Sequence, residues 1–288
     1  MKNPFIGRAG NHTWNNIQPT NGRVVKVDEI TGNLTRAWVI ETRAFNASES
    51  SWGSNTNGLI RVGRIPWKKN GTLNKKFHKA LERFVDKAEK QDITVIVTLF
   101  EGTFQQYIDY KGGWKNHWTS DLKNSPSAPE YVHTKGEWNK FQRAHVKEVA
   151  KRLSDNKNIA AMVGNELHSN SIDWFQKKVV EWWKKWSESP IGVGYAQGVK
   201  PSRGKSQDWM AKTGADWMSP AGGQRISGFN GWYLFDTDHS WPLQSNVNGL
   251  RSAWARGDGL LLMDGFHGQI LKNQQDLAPD RAFIDSIV

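Results

Sequence analysis

The 288-residue sequence has no cysteine. That excludes disulfides, thiolate metal sites and a cysteine nucleophile. No apolar run approaches the roughly 20 residues of a membrane-spanning helix. The opening MKNPFIGRAG lacks the apolar stretch of a secretory signal. Acid is scarce relative to base: 39 Lys and Arg face 28 Asp and Glu, for a net charge of +11. Such a surface favours anionic partners, either nucleic acid, an acidic glycan or an anionic envelope, against the plainer alternative of a solvated basic face. No RNP, zinc-finger or basic-helix pattern accompanies the charge. The 27 Gly and 10 Pro are too few to signal disorder.

What the chain has in abundance is tryptophan, 16 residues of it. Trp14, Trp52, Trp67, Trp114, Trp118 and Trp241 fall in loop-like stretches. There an indole can stack on a flat apolar ligand face, such as a sugar ring, and donate its N–H. Trp182, Trp183 and Trp186 sit at helical positions and read as core.

Residues 1–35 are polar, rich in Gly and Asn, and aperiodic. They are expected to form an irregular N-terminal extension packed on a body spanning 36–288. From there strand-like and helix-like segments alternate. Strands are expected near 37–43, 59–65, 93–100, 159–164, 191–196, 216–219, 231–235 and 260–263. Helices are expected near 74–91, 136–154, 172–187, 204–213, 246–256 and 276–287. In the first of these, Phe77, Leu81, Phe84, Val85 and Ala88 fall at helical spacing behind an N-cap, Asn74. Ile93–Phe100 is a near-continuous apolar run, as in a parallel strand covered on both faces. Eight strands alternating with helices is the count of a single (β/α)8 barrel, an α/β fold. A doubly wound sheet that bound a nucleotide would need a glycine-rich turn after its first strand, and Thr42-Arg-Ala-Phe45 has none. The aromatic-rich stretch 104–135 is too long for a plain connection and reads as a functional loop.

Barrel chemistry sits beyond the C-terminal strand ends, and here those ends are acidic. Glu41 lies in the first expected strand, Glu101 ends the third and Asn165-Glu166 the fourth. Asp236-Thr-Asp238-His239 ends the seventh, and Asp264 the eighth. Two carboxylates facing across a pocket suit glycosidic cleavage: one protonates the leaving oxygen, the other attacks the anomeric carbon or activates water. The fourth and seventh strands oppose each other, so Glu166 pairs with Asp238 or Asp236. The two aspartates share strand parity. Asp238 lies nearer the mouth, and Asp236 can instead anchor an arginine such as Arg61 or Arg64.

Val97-Thr-Leu-Phe-Glu-Gly102, Gly164-Asn-Glu166, Ala215-Asp-Trp-Met-Ser-Pro220, Asp236-Thr-Asp-His-Ser-Trp241, Arg256-Gly257 and Met263-Asp264 occur in this order. On these motifs the chain resembles bacterial cellulase-like glycoside hydrolases of clan A type, with the Asp-Thr-Asp-His segment the most specific match. The resemblance implies Glu166 as general acid/base and Asn165 as a contact to the sugar 2-hydroxyl. It also implies a carbohydrate-cleaving O-glycosyl hydrolase; retention is expected if the two carboxylates lie about 5 Å apart, and inversion if the shorter Asp leaves more than about 6.5 Å. Two departures stand out. The clan's usual seventh-strand nucleophile is Glu, one methylene longer than Asp, and Trp241-Pro242 stands where Gly often follows the Trp.

Further sugar contacts are expected from Glu101, His239, His168, Trp217, Trp241, Asp264 and Trp114, with packing the alternative for Trp217 and Trp232. The His and Asp residues match no metal-ligand spacing, so neither metal nor cofactor is expected. The expected partner is a carbohydrate, possible anionic character following from the charge; neither nucleic acid nor a membrane span is expected, and the oligomeric state is open. Without a signal segment the expected setting is the cytoplasm, or a virion with release by lysis. The rival readings are a non-catalytic glycan-binding barrel, such as a virion or cell-surface adhesin, and, more remotely, a nucleic-acid-binding protein. An acidic mouth argues against the last.

Overall fold

The computed structural model describes residues 2–12, 26–37, 42–47, 58–61, 66, 68, 72–101, 115–116, 137–165, 172–194, 207–220, 223–237, 246–263 and 278–288. In chain order the strands are β1 (Ala9–His12), β2 (Leu34–Ala37), β3 (Thr42–Ala47), β4 (Gly58–Arg61), β5 (Thr94–Glu101), β6 (Lys115–Asn116), β7 (Ile159–Asn165), β8 (Ile191–Gly194), β9 (Trp217–Ser219), β10 (Trp232–Asp236) and β11 (Gly259–Met263). The described α-helices are α1 (Lys75–Glu89), α2 (Glu137–Arg152), α3 (Ile172–Trp186), α4 (Val247–Ala255) and α5 (Ala278–Asp285). Short 3-10 turns occupy Val27–Glu29 and Gln207–Lys212. Among the described residues no helix is long and apolar enough to cross a membrane.

Eight strands form one sheet in the order β1-β11-β10-β9-β8-β7-β5-β2, every ladder parallel. This is the wall of a single (β/α)8 barrel. Its seam lies between β1 and β2. There Asn33 N–H donates to the Ala9 carbonyl (2.9 Å), and the Asn33 side chain accepts from Ala9 N–H (2.9 Å). Gly10 makes this approach possible, because a Cβ there would run into the Leu34 carbonyl oxygen. Gly32 faces it at φ +83°, a conformation that suits glycine.

Two apolar layers cover the wall. Inside the barrel, Phe5, Leu34, Ile96, Ala160, Met162, Trp217, Leu234 and Leu261 fill the lumen. Outside, Val95, Val97 and Leu99 of β5 and Ala161 and Val163 of β7 face α1, α2 and α3. The period-2 alternation of strands sorts the two sets. Helix α1 starts where Asn74 Oδ1 accepts from Lys76 N–H (3.2 Å), an N-cap. All five of its apolar positions anticipated from spacing are buried.

From residue 75 onward the strands and helices fall within a few residues of expectation. Before it the reading needs correcting. The barrel begins at Ala9, inside the supposed extension, and Phe5 reaches the lumen, where its ring meets Trp217 edge-on (centroids 5.0 Å, 82°). The second barrel strand is Leu34–Ala37. Of the apolar runs near 37–43 and 59–65, Ala37 ends β2, Thr42–Arg43 open β3 and Leu59–Arg61 lie in β4; 38–41 and 62–65 lie outside the described residues. Strands β3 and β4 pair antiparallel, and β6 adds to β3. β3 and β4 lie between β2 and α1, and β6 between β5 and α2. This small sheet therefore joins the connections that follow the second and third barrel strands, at the mouth.

Candidate active site

Moving two residues along a strand keeps the same face and climbs one layer. Above Leu34, Ile96 and Leu234 of the lumen stand Arg36, Thr98 and Asp236. Above Met162 stands Gly164, which puts no side chain into that layer. The polar layer is sealed: Arg36, Thr98 and Asn165 are fully buried, and Asp236 is 2% exposed. Arg36 crosses it. One guanidinium nitrogen, Nη1, donates to Asn165 Oδ1 (3.0 Å), and Nη2 pairs with Asp236 Oδ2. A buried carboxylate is tolerable only when paired and hydrogen-bonded, and Arg36 supplies both.

Arg36 therefore ties the last residue of β7 to the last residue of β10. Glu166 is the next residue after the one, and Asp238 lies two beyond the other. The anchoring role raised for Asp236 is thus present. A partner is Arg36, on the barrel strand 200 residues earlier; Arg64 and the Arg61 side chain lie outside the described residues. Strand β10 ends at Asp236.

Trp217 needs a correction as well. It is fully buried in the lumen, packed on Phe5, and Gly192 is a glycine because a Cβ there would enter the Trp217 ring. No sugar can lie on that face. Trp182 and Trp183 are core residues, as anticipated. Glu101 is the last residue of β5, paired with Asn165 across the ladder, which sets its backbone at the mouth. Its side chain, and Glu166, Asp238, His239, His168, Trp241, Asp264 and Trp114, lie outside the described residues.

Arg36 is the site residue the sequence reading missed. The signal was present: a lone arginine inside Leu34-Thr-Arg-Ala-Trp-Val-Ile40, on the face of Leu34. The strand expected at 37–43 starts one residue after it, whereas the barrel strand is Leu34–Ala37.

A second buried polar cluster lies behind β5, on the outer side of the barrel wall. His78 Nε2 faces His145 Nδ1 at 3.2 Å, His78 Nδ1 meets the Asn74 carbonyl (3.0 Å), and His145 Nε2 meets the Leu99 carbonyl (3.2 Å). Burial pushes both rings below the usual histidine pKa, His145 furthest, with His78 beside it adding to the effect. The rings link α1, α2 and β5.

No protein-family model and no curated protein matches the sequence. Solved structures do resemble the fold. Endo-glycoceramidase II from Rhodococcus sp., in complex with a five-membered iminocyclitol, matches with a TM-score of 0.56 and 11% identity, over 96% of this chain and 78% of that one. A GH113 β-1,4-mannanase complex matches at 0.52 and 13%, over 98% of each chain. The endo-β-1,4-mannanase from Thermotoga petrophila matches at 0.50 and 12%, over 88% of this chain and 69% of that one. At such identities the likeness is one of fold: this chain is a single (β/α)8 barrel, similar in architecture to these glycosidases.

Proposed function

We propose that the protein is a glycoside hydrolase acting on a poly- or oligosaccharide through two carboxylates. The observation that carries this reading is the buried bridge Asp236–Arg36–Asn165. It fixes the ends of two opposed strands, one residue before Glu166 and two before Asp238 in the sequence. A pair of carboxylates that must straddle one bond needs such a floor, because small misplacements are costly. The resemblance of the Asn-Glu and Asp-Thr-Asp-His segments, and the glycosidases among the similar folds, support the same reading.

In this mechanism Glu166 protonates the leaving glycosidic oxygen while Asp238 attacks the anomeric carbon. Glu166, now a carboxylate, takes a proton from water, and that water displaces Asp238, giving retention. Asn165, fully buried and held by Arg36, fixes the end of β7 that leads into Glu166. Asp236, with its side chain fully enclosed, acts as the anchor of Arg36. Glu101, His239, His168, Trp241, Trp114 and Asp264 line the subsite.

The test is a comparison of Asp238→Asn and Asp236→Asn on a polysaccharide the wild type cleaves, with melting curves alongside. Asp238→Asn is expected to keep the fold and lose about 100-fold or more in kcat, since it removes the attacking group. Asp236→Asn is expected to lower the melting temperature. Full activity in Asp238→Asn with an unimpaired fold would remove Asp238 from the mechanism. Inverted product stereochemistry would assign it as a base instead of a nucleophile.

A further inference from the structure

The outer wall of the barrel carries a charge pattern that the proposed mechanism does not use. Every exposed side chain of α1 is a cation: Lys75, Lys76, Lys79, Arg83 and Lys87. From residue 140 onward the same holds for α2, with Lys140, Arg143, Lys147 and Lys151. With 39 basic to 28 acidic residues in the chain, a random allotment of charge would put about four acids among nine such positions. There are none.

The acids of this face are half-buried and paired. Glu82 and Glu148 are both held by Arg152 (3.0 and 2.6 Å). Asp86 and Glu89 accept from the Asn156 side chain (3.1 and 2.8 Å). The most exposed positions are all cations. Lys76, Lys79, Arg83 and Lys87 advance along α1 by three, four and four residues, and the α2 set advances by the same steps. At about 1.5 Å per residue the charges recur roughly every 5 Å. The helices are neighbours, locked by the Arg152–Glu82 pair and the His78–His145 contact. The result is two side-by-side cationic rows running down the wall from the mouth.

We infer that this face binds a linear anionic polysaccharide, a polyuronate-type chain carrying about one carboxylate per sugar. The inference rests on the hydrolase reading for its choice of a glycan. Charge alone would also attract nucleic acid or an anionic membrane. Nucleic acid is held in addition by stacking aromatics, and membranes by exposed apolar side chains. The exposed large hydrophobics among the described residues are Ile6 and Val288, neither of them on α1 or α2. Trp186 lies beneath the cations, with Arg143 and Lys147 over its ring (5.6 and 5.8 Å), and so braces them. A polymer that offers regularly spaced charge and nothing else fits this surface. Its place beside the mouth would keep a long chain close while the site works on it.

The test is binding to polygalacturonate by affinity electrophoresis, with a neutral mannan as control. Wild type is compared with Lys79→Glu/Arg83→Glu/Lys147→Glu/Lys151→Glu. A control of equal charge change is Lys2→Glu/Lys26→Glu/Lys68→Glu/Lys212→Glu, all exposed elsewhere. The row variant is expected to bind about ten-fold or more weakly than the control, and wild-type affinity to fall steeply with salt. Circular dichroism melts verify that each variant is folded. Equal weakening in both variants, no binding by wild type, or tighter binding of a 20-base-pair DNA duplex or phosphatidylglycerol vesicles at the same ionic strength would each overturn the inference. Binding is read without turnover and repeated in Glu166→Gln. A protein that holds polygalacturonate through the rows but cleaves nothing would refute the hydrolase reading alone.

Discussion

Replacing Arg36 with Met keeps a long apolar stem and deletes the guanidinium. Asp236, with a fully enclosed side chain, then loses this guanidinium, and Asn165 Oδ1 loses the Nη1 donor. Removing one partner of a buried pair costs about 3–5 kcal/mol, because the other charge stays desolvated. At roughly 2.1 cal/mol/K per residue, unfolding 288 residues carries an entropy of about 0.6 kcal/mol/K. The melting temperature of Arg36→Met should therefore fall by about 5–8 °C. Thermal melts by circular dichroism, checked for reversibility, read this directly. A companion double variant, Arg36→Met/Asp236→Asn, removes the stranded charge. It should recover at least half of the loss, a coupling that a double-mutant cycle exposes. A fall below about 2 °C in the single variant, or strictly additive effects in the cycle, would refute the buried bridge as the organiser of the strand ends.

Other outcomes follow from the same geometry. Phe5→Ala empties the lumen beside Trp217 and should cost about 3–5 kcal/mol in urea unfolding, whereas a peripheral extension would lose almost nothing. Gly10→Ala forces a Cβ onto the Leu34 carbonyl and should cost about 1–3 kcal/mol; faster hydrogen exchange at Asn33 N–H would locate the damage at the seam. For the His78–His145 pair, both folded rings are held below the unfolded value of about 6.5. The unfolded chain then binds protons that the native state refuses. Their stability contribution is complete above about pH 6.5 and is lost as pH falls toward the folded values. His78→Gln/His145→Gln should flatten the urea-midpoint profile between about pH 6.5 and 5; an unchanged slope there would clear the pair of this role.

Where hydrophobic periodicity was strong, sequence and structure agree closely. The run Ile93–Phe100 became β5 and the spacing of Phe77 to Ala88 became α1, both because burial on a fixed face leaves a repeating trace. The first barrel strand left no such trace. Ala9-Gly-Asn-His12 offers the lumen little side chain, since Phe5 from the preceding turn fills that space and Gly10 must stay bare for the seam. Conversely, Leu59-Ile60 looks like a buried parallel strand but pairs antiparallel in β4. An apolar run signals burial of a strand without saying in which sheet. The acidic strand ends pointed to the mouth, and Asn165 and Asp236 are brought together there. The agent that joins them, Arg36, comes from a strand 200 positions away from Asp236, and pairing at such separation has no local signature.

The most direct test of the central claim is the release of new reducing ends from a broad polysaccharide panel, including anionic glycans and peptidoglycan. Wild type is run against Glu166→Gln, both checked for an unchanged circular dichroism spectrum. The account predicts cleavage of at least one polysaccharide by wild type and its loss, by about 100-fold or more, in the variant. Cleavage that survives Glu166→Gln would contradict the assignment of the proton donor. Retained glycan binding with no cleavage of any polysaccharide would contradict the enzyme itself.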